Sequence, residues 1–206
     1  MVSDLLLPLF PLEVVLLPQA TLPLHIFESR YKLMIGEALE QQSEFGVVLF
    51  KQNALVNIGC TAAIERVVRK YPDGRLDIIT AGRRRFEILF LNQEKPYLQA
   101  GVHFFADDAG TAPTEAAASR LQELFQRVQA FLPPGARLPG SPGRGRDSFQ
   151  IAGALPLDLD FKQRLLALRS EAERVALLSE YLEKLAPRLQ LTKRVERSAQ
   201  SNGHGR

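Results

Sequence analysis

Nucleophilic and metal chemistry in this 206-residue chain is bounded by three histidines and a single cysteine. His25, His103, His204 and Cys60 share none of the paired spacings that hold zinc. A thiol hydrolase needs a histidine base beside its cysteine, but Cys60 sits in Ile58-Gly-Cys-Thr-Ala-Ala-Ile64, which reads as a strand around a small buried residue. His25 and His103 stand in strand-like apolar surroundings and read as hydrogen-bonded structural residues; His204 falls in a polar tail. No Gly-x-Ser-x-Gly nucleophile elbow occurs. The carboxylate pairs Asp107-Asp108 and Asp158/Asp160 fall in a linker and at a helix start, where capping accounts for them. These residues assign no catalytic, cofactor-binding or metal-binding role to any position.

Two basic segments invite a phosphate reading. Gly140-Ser-Pro-Gly-Arg-Gly-Arg146-Asp147 brushes against the phosphate-loop pattern, yet Arg146 and Asp147 stand where Lys and then Ser or Thr are required, and Pro142 interrupts it. It reads as a flexible linker. Arg83-Arg84-Arg85 is the one sharp basic cluster in the body. Alternate strand side chains point to opposite faces, so at most two of the three share a surface, and a solvated or salt-bridged strand end explains them.

The elements carrying these residues change character near residue 107. Before it the chain reads as short strands. Leu5–Leu9 and Val14–Leu17 are apolar runs punctuated by proline, suited to edge strands. Tyr31, Met34, Ile35, Ala38 and Leu39 recur on one helical face, with Ser29 as N-cap. Phe45–Phe50 is a strand buried on both faces. Ile58–Tyr71 and Arg75–Thr80 flank Pro72-Asp73-Gly74, where Asp-Gly supplies the positive φ of a tight turn. Arg83–Leu91 and Tyr97–Phe105 complete the strands. Asp107–Pro113 is a linker, after which Leu121, Leu124, Phe125, Val128 and Leu132 fall at helical spacing until Pro133-Pro134-Gly135. Residues 133–147, dense in proline and glycine, read as a mobile loop. A short helix over Phe149–Leu155 is closed by Pro156; Asp158 or Asp160 caps the next helix. Ser170-Glu171-Ala172-Glu173 is a capping box opening a last helix, with Val175, Leu178, Leu182 and Leu185 on one stripe, and Pro187 is its expected stop. The resulting organisation is a β subdomain over 1–108, a helical subdomain over 109–190, and a disordered basic tail over 191–206.

Charge narrows the partners. The isoelectric point is near 9.2. Residues 187–206, however, hold five of the 26 Lys and Arg and one of the 23 acids, leaving 21 basic against 22 acidic groups in residues 1–186. A near-neutral body gives no general attraction for nucleic acid. A lone cysteine fits a reducing compartment. Residues 5–27 are Leu- and Val-rich, but Pro8, Pro11, Pro18 and Pro23 break any helix and no Lys or Arg precedes Arg30, so neither a signal peptide nor a membrane span is expected. The expected location is cytoplasmic.

Taken in order, the segments resemble the Lon protease N-terminal (substrate-binding) domain family. The resemblance is carried by Leu7-Pro-Leu-Phe-Pro-Leu-Glu-Val-Val-Leu-Leu-Pro18 and by Leu22-Pro-Leu-His-Ile-Phe-Glu-Ser-Arg-Tyr31 leading into the helix. It continues through Ile58-Gly59 to Ile64, the Asp73-Gly74 hairpin and the Gly82-Arg-Arg-Arg-Phe86 return, then Pro96-Tyr97-Leu98 and Leu155-Pro-Leu-Asp-Leu-Asp-Phe-Lys-Gln-Arg-Leu-Leu166. It implies an α+β protein: an N-terminal PUA-like β pseudo-barrel with one inserted helix, followed by a C-terminal all-helical subdomain. It also implies engagement of polypeptide. Lon proteases continue into an ATPase module with a phosphate loop and a Ser-Lys protease; those motifs are missing from this sequence, so a stand-alone, non-catalytic polypeptide-binding module is expected, without cofactors. The expected partners are unfolded or exposed polypeptide segments and a separate protease or chaperone, with no membrane and no nucleic acid. The binding residues stay unassigned because one sequence does not fix strand register. RNA binding is the alternative, since PUA-like barrels include RNA readers and the tail and Arg83–Arg85 are basic, and a small-molecule enzyme built on His25, His103 or Cys60 ranks third.

Overall fold

A computed structural model describes residues 6–129, 131 and 147–202, with side chains in the last helix described through Pro187 and at Leu189. Six strands and five helices follow in the order β1 (Leu7–Leu12), β2 (Thr21–Ile26), α1 (Ser29–Gln41), β3 (Phe45–Lys51), β4 (Ala54–Lys70), β5 (Leu76–Asn92), β6 (Gln99–Phe105), α2 (Glu115–Gln129), α3 (Ser148–Gly153), α4 (Leu159–Ala167) and α5 (Glu171–Asn202). The Pro/Gly loop expected over 133–147, the phosphate-loop-like stretch within it (except Asp147) and His204 lie outside the described residues.

The sheet closes on itself. Its order is β2-β5-β4-β3-β1-β6, and β6 pairs with β5 as well as with β1. Five strands therefore form a pseudo-barrel, and β2 hangs outside it on β5. Two 17-residue strands make this possible. β5 pairs with β4 through Glu87 and with β6 from Arg85 onward, so one strand serves two walls. Only β1 and β3 run parallel. The seam between β1 and β6 is short, two register pairs plus a Leu9 N–H bond to the Leu98 carbonyl at 2.8 Å.

Glycine makes the interior fit. Phe86 is fully buried, and its ring fills the space that side chains would take at Gly46 and Gly59, whose Cβ atoms would stand 2.7 and 2.5 Å from it. At Gly82 a Cβ would meet the Leu17 carbonyl oxygen at 2.1 Å. That close approach corrects one expectation. Val14–Leu17 is not a strand: Val15, Leu16 and Leu17 are buried in irregular chain, and Gln19 and Ala20 exchange backbone hydrogen bonds with Gly82. The strand expected there lies at Thr21–Ile26 instead, and Pro23 is tolerated because β2 is an edge.

The chain divides into two compact units. One holds residues 1–106 with 156–167, the other residues 107–155 with 168–206. In the first, α4 is capped by Asp158, whose carboxylate accepts from the Phe161 N–H at 2.8 Å, while Asp160 pairs with Lys51 at 2.7 Å. Gln163 donates to the Ile58 carbonyl at 2.9 Å, fixing α4 to β4. α1 starts at Ser29 with Glu28 in the N-cap position, so Ser29 is not the cap; the Glu28 side chain turns to Arg30.

In the second unit, α2 and α5 pack on Leu121, Leu124, Phe125, Val128, Val175, Leu178 and Leu182, all buried. Arg174, 2% exposed, is the polar hub: it donates to Asp107 (2.7 Å from Nη1), Glu171, Ser148 and the Leu168 carbonyl, and lies 4.3 Å over the Phe149 ring. α5 continues through Pro187, the expected stop, to Asn202, within the segment read as a tail over 191–206. Proline's fixed φ is close to the helical value, so the helix can run on through it, at a cost of about 3 kcal/mol for the lost N–H donor and the crowding of the carbonyl four residues back.

Candidate functional site

The groups that sequence singles out for chemistry are placed apart. Cys60 is fully buried in β4, and burial pushes its thiol up to about 12, which keeps it protonated and inert at neutral pH. His25 lies on the outward face of β2, not in an apolar niche: its side chain is 44% exposed and Nδ1 stands 2.6 Å from the Asp77 carboxylate. His103 is exposed on β6 opposite Glu87. No hydrogen bond joins any two of these residues, and the described residues contain no group of three or more His, Cys, Asp or Glu able to hold a metal.

Each arginine of the basic run has a partner, Arg83 and Arg84 on the surface and Arg85 in the interior. Arg83 pairs with Glu65 at 3.7 Å, and Arg84 pairs with Glu44 at 3.1 Å while lying over Phe104. Arg85 is 5% exposed, donates to the Leu166 carbonyl at 3.2 Å and covers the Phe105 ring. The three arginines thus tie β5 to Glu44 just before β3, to β4, to β6 and to α4.

Further along β5 the surface presents an apolar run. Leu89, Phe90 and Leu91 are consecutive on β5 and 56%, 53% and 46% exposed. The register explains how three neighbours in one strand come to be open together. β5 slips against β6 between Ile88 and Phe90, so Leu89 is the extra residue of a bulge, which re-aims the side chains around it. Beyond the bulge Phe90 pairs with Gly101, and its ring lies across that glycine, where a Cβ would meet it at 2.2 Å. Inward of the same strands Ile88 and Val102 pack on the Phe86 cluster. The strip is therefore mounted on a rigid wall. Sequence alternation alone hides it, because without the bulge every second residue of Phe86–Leu91 would face the core.

A second group gathers at the β4–β5 hairpin. Asp77 accepts from the Tyr71 hydroxyl at 2.8 Å as well as from His25, and those two bonds hold its carboxyl below the usual range. His25 stacks on Phe27, which is 60% exposed. Arg69 and Arg75 lie 4.6 and 4.9 Å from the centre of the Tyr71 ring. Across the first unit, Glu37 of α1 binds Lys95 and Tyr97, and the hydrogen bonds from both lower its carboxyl below the usual value.

The first unit thus combines a closed barrel, an external edge strand, a buried thiol and an exposed apolar strip. The chain matches the family described as the ATP-dependent protease La (LON) substrate-binding domain over residues 6–184 and belongs to that family. It is 31% identical over 129 residues to the Lon protease of Parabacteroides distasonis, covering 57% of this chain and 16% of that protein. The Lon protease of Anaeromyxobacter dehalogenans is 25% identical over 211 residues, covering 92% and 24%. This chain thus spans about a quarter or less of these relatives. In fold it resembles the Lon N-terminal domain protein from Xanthomonas campestris, with a TM-score of 0.66 at 24% identity over 84% of this chain and 96% of that one. The N terminal domain of Mycobacterium avium complex Lon protease aligns with the same TM-score at 17% identity, over 86% and 98%. Among the described residues no helix is long and apolar enough to cross a membrane.

Proposed function

We propose that this chain is a non-catalytic module that binds unfolded or exposed polypeptide and presents it to a separate protease or chaperone. The observation that carries the reading is the exposed run Leu89-Phe90-Leu91 on a wall held rigid from behind. Apolar side chains left open on a stiff surface release ordered water when a partner covers them, and a partner with exposed apolar residues, such as an unfolded chain, gains equally. Membership of a substrate-binding family supports the assignment. The inertness of Cys60 and the separation of the histidines fit a role in binding without bond-breaking. The RNA alternative finds less support at residues 83–85, where Arg83 and Arg84 pair with Glu65 and Glu44 and Arg85 donates to the Leu166 carbonyl.

The test is the affinity of the full chain for a permanently unfolded, neutral model polypeptide, followed by fluorescence anisotropy. Phe90→Ser and, separately, Leu89→Ser at the bulge are expected to weaken binding about tenfold, the effect of removing an apolar anchor. Equal affinity for both variants and the parent, with unchanged thermal midpoints, contradicts the assignment.

A further inference from the structure

The β4–β5 hairpin concentrates positive charge on a body that is otherwise near neutral. Residues 66–77 hold Arg66, Arg69, Lys70 and Arg75 against Asp73 and Asp77. Both acids are already engaged, Asp73 by Arg75 at 2.6 Å and Asp77 by His25 and Tyr71. Arg66, Arg69 and Lys70 are exposed and make no ion pair with the described residues. Their placement is fixed by register. Pro23, Ile79 and Arg66 form one row across β2, β5 and β4, and His25, Asp77 and Arg69 form the next, on the face opposite the buried Ile78. Ile79 and Asp77 are two residues apart, so the two guanidinium-bearing rows are spaced by ~7 Å. That is the repeat of successive same-side residues in an extended polypeptide.

The surface is also preorganised. Tyr71 is anchored by its hydroxyl to Asp77, and the Arg69 guanidinium carbon lies 4.6 Å from the centre of its ring; a guanidinium held against a ring face keeps its N–H donors for a carboxylate. Lys32 of α1 donates to the Asp73 carbonyl at 2.9 Å and holds the hairpin tip in place. Exposed Phe27, just after β2, and Val68 in β4 are apolar neighbours, and β2 pairs with β5 alone, leaving its other edge free.

We infer that the outward face of β2, β5 and β4 at this hairpin is a second docking surface, and that it takes an extended polypeptide with acidic side chains at alternate positions. Charge complementarity selects the occupant: paired guanidinium groups at that spacing match carboxylates at i and i+2. Single-stranded nucleic acid fits less well, because it binds by stacking bases on open rings. Here Tyr71 lies against two guanidinium groups and His25 against Phe27. The inference does not depend on the Leu89–Leu91 strip.

The experiment titrates the full chain with a labelled peptide alternating glutamate and alanine, and with an isomer that has the same residues but adjacent glutamates. The alternating peptide binds more tightly. Its affinity falls about tenfold in Arg66→Glu/Arg69→Glu and less in Arg66→Gln/Arg69→Gln, and it weakens as salt is raised past the screening range near 0.15 M. Phe90→Ser leaves this affinity unchanged, which separates the surface from the apolar strip. Equal binding of the two isomers, affinity unaltered in both arginine variants, or displacement by a single-stranded oligonucleotide at lower concentration than the peptide overturns the inference.

Discussion

At the scale of single residues, the fold rests on a few positions where no other side chain fits. Gly82 and Gly36 show the contrast. A Cβ at Gly82 would overlap the Leu17 carbonyl at 2.1 Å, and a backbone atom has no rotamer by which to step aside; a Cβ at Gly36, inside α1, meets nothing within 4 Å. Gly82→Ala is therefore expected to destabilise the protein by about 2 kcal/mol or more through overpacking. Gly36→Ala should stabilise it by up to ~1 kcal/mol through helix propensity. Denaturant midpoints of the two variants read both signs at once. Cys60 gives a pH signature. Its thiol is raised by burial from an ordinary 9.0 to about 12, so between those values the unfolded chain loses a proton that the folded chain keeps. Stability contributed by this group is intact below pH 9 and falls as pH rises toward 12, and Cys60→Ala should flatten that part of the profile. At neutral pH a thiol reagent should label Cys60 only at the rate of unfolding.

At the scale of elements, the sequence was most legible where a local rule acts alone. Asp-Gly at 73–74 does place the turn, with Gly74 at φ +82°, and Asp158 does cap α4. The capping box at Ser170 opens α5, with its hydroxyl accepting from the Glu173 N–H at 3.2 Å. It was least legible where distant chain decides. The apolar run Val14–Leu17 looks like a strand but packs as irregular chain over Gly82, while Thr21–Ile26, interrupted by Pro23, pairs with β5. The hub role of Arg174 is hidden in the sequence because, apart from Glu171 one turn away, its partners lie at 107, 148 and 168, contacts that no spacing within α5 announces. The candidate strip at Leu89–Leu91 was hidden for the same reason, since a bulge is a property of two strands. Arg174→Met leaves Asp107 and Glu171 without their cation, and the second unit should lose about 3 kcal/mol, the lower end of the cost of breaking a buried pair. A shift of its thermal transition below about 1 kcal/mol would show that the carboxylates find water instead.

At the scale of the whole molecule, fold and family membership were recoverable because many weak segments recur in one order, whereas the candidate surfaces were not. Order along the chain is a one-dimensional signal. Which side chains share an outward face depends on register, on two bulged 17-residue strands, and on β6 closing the barrel. The charge balance behaves likewise: residues 1–186 are nearly neutral in sum, yet the arginines at 83–85 are each engaged by a partner while those at 66 and 69 make no ion pair with the described residues. Sum charge conceals both facts.

The central claim is that Leu89, Phe90 and Leu91 form a polypeptide-binding strip. An amide-resolved NMR titration of the full chain with an unfolded, neutral polypeptide, near physiological salt, tests it most directly. The account predicts saturable shifts centred on Leu89–Leu91 and on the facing Ala100–Val102, and their loss in Phe90→Ser with the remaining spectrum unchanged. Shifts that are absent, or that saturate elsewhere and persist in Phe90→Ser, would contradict it.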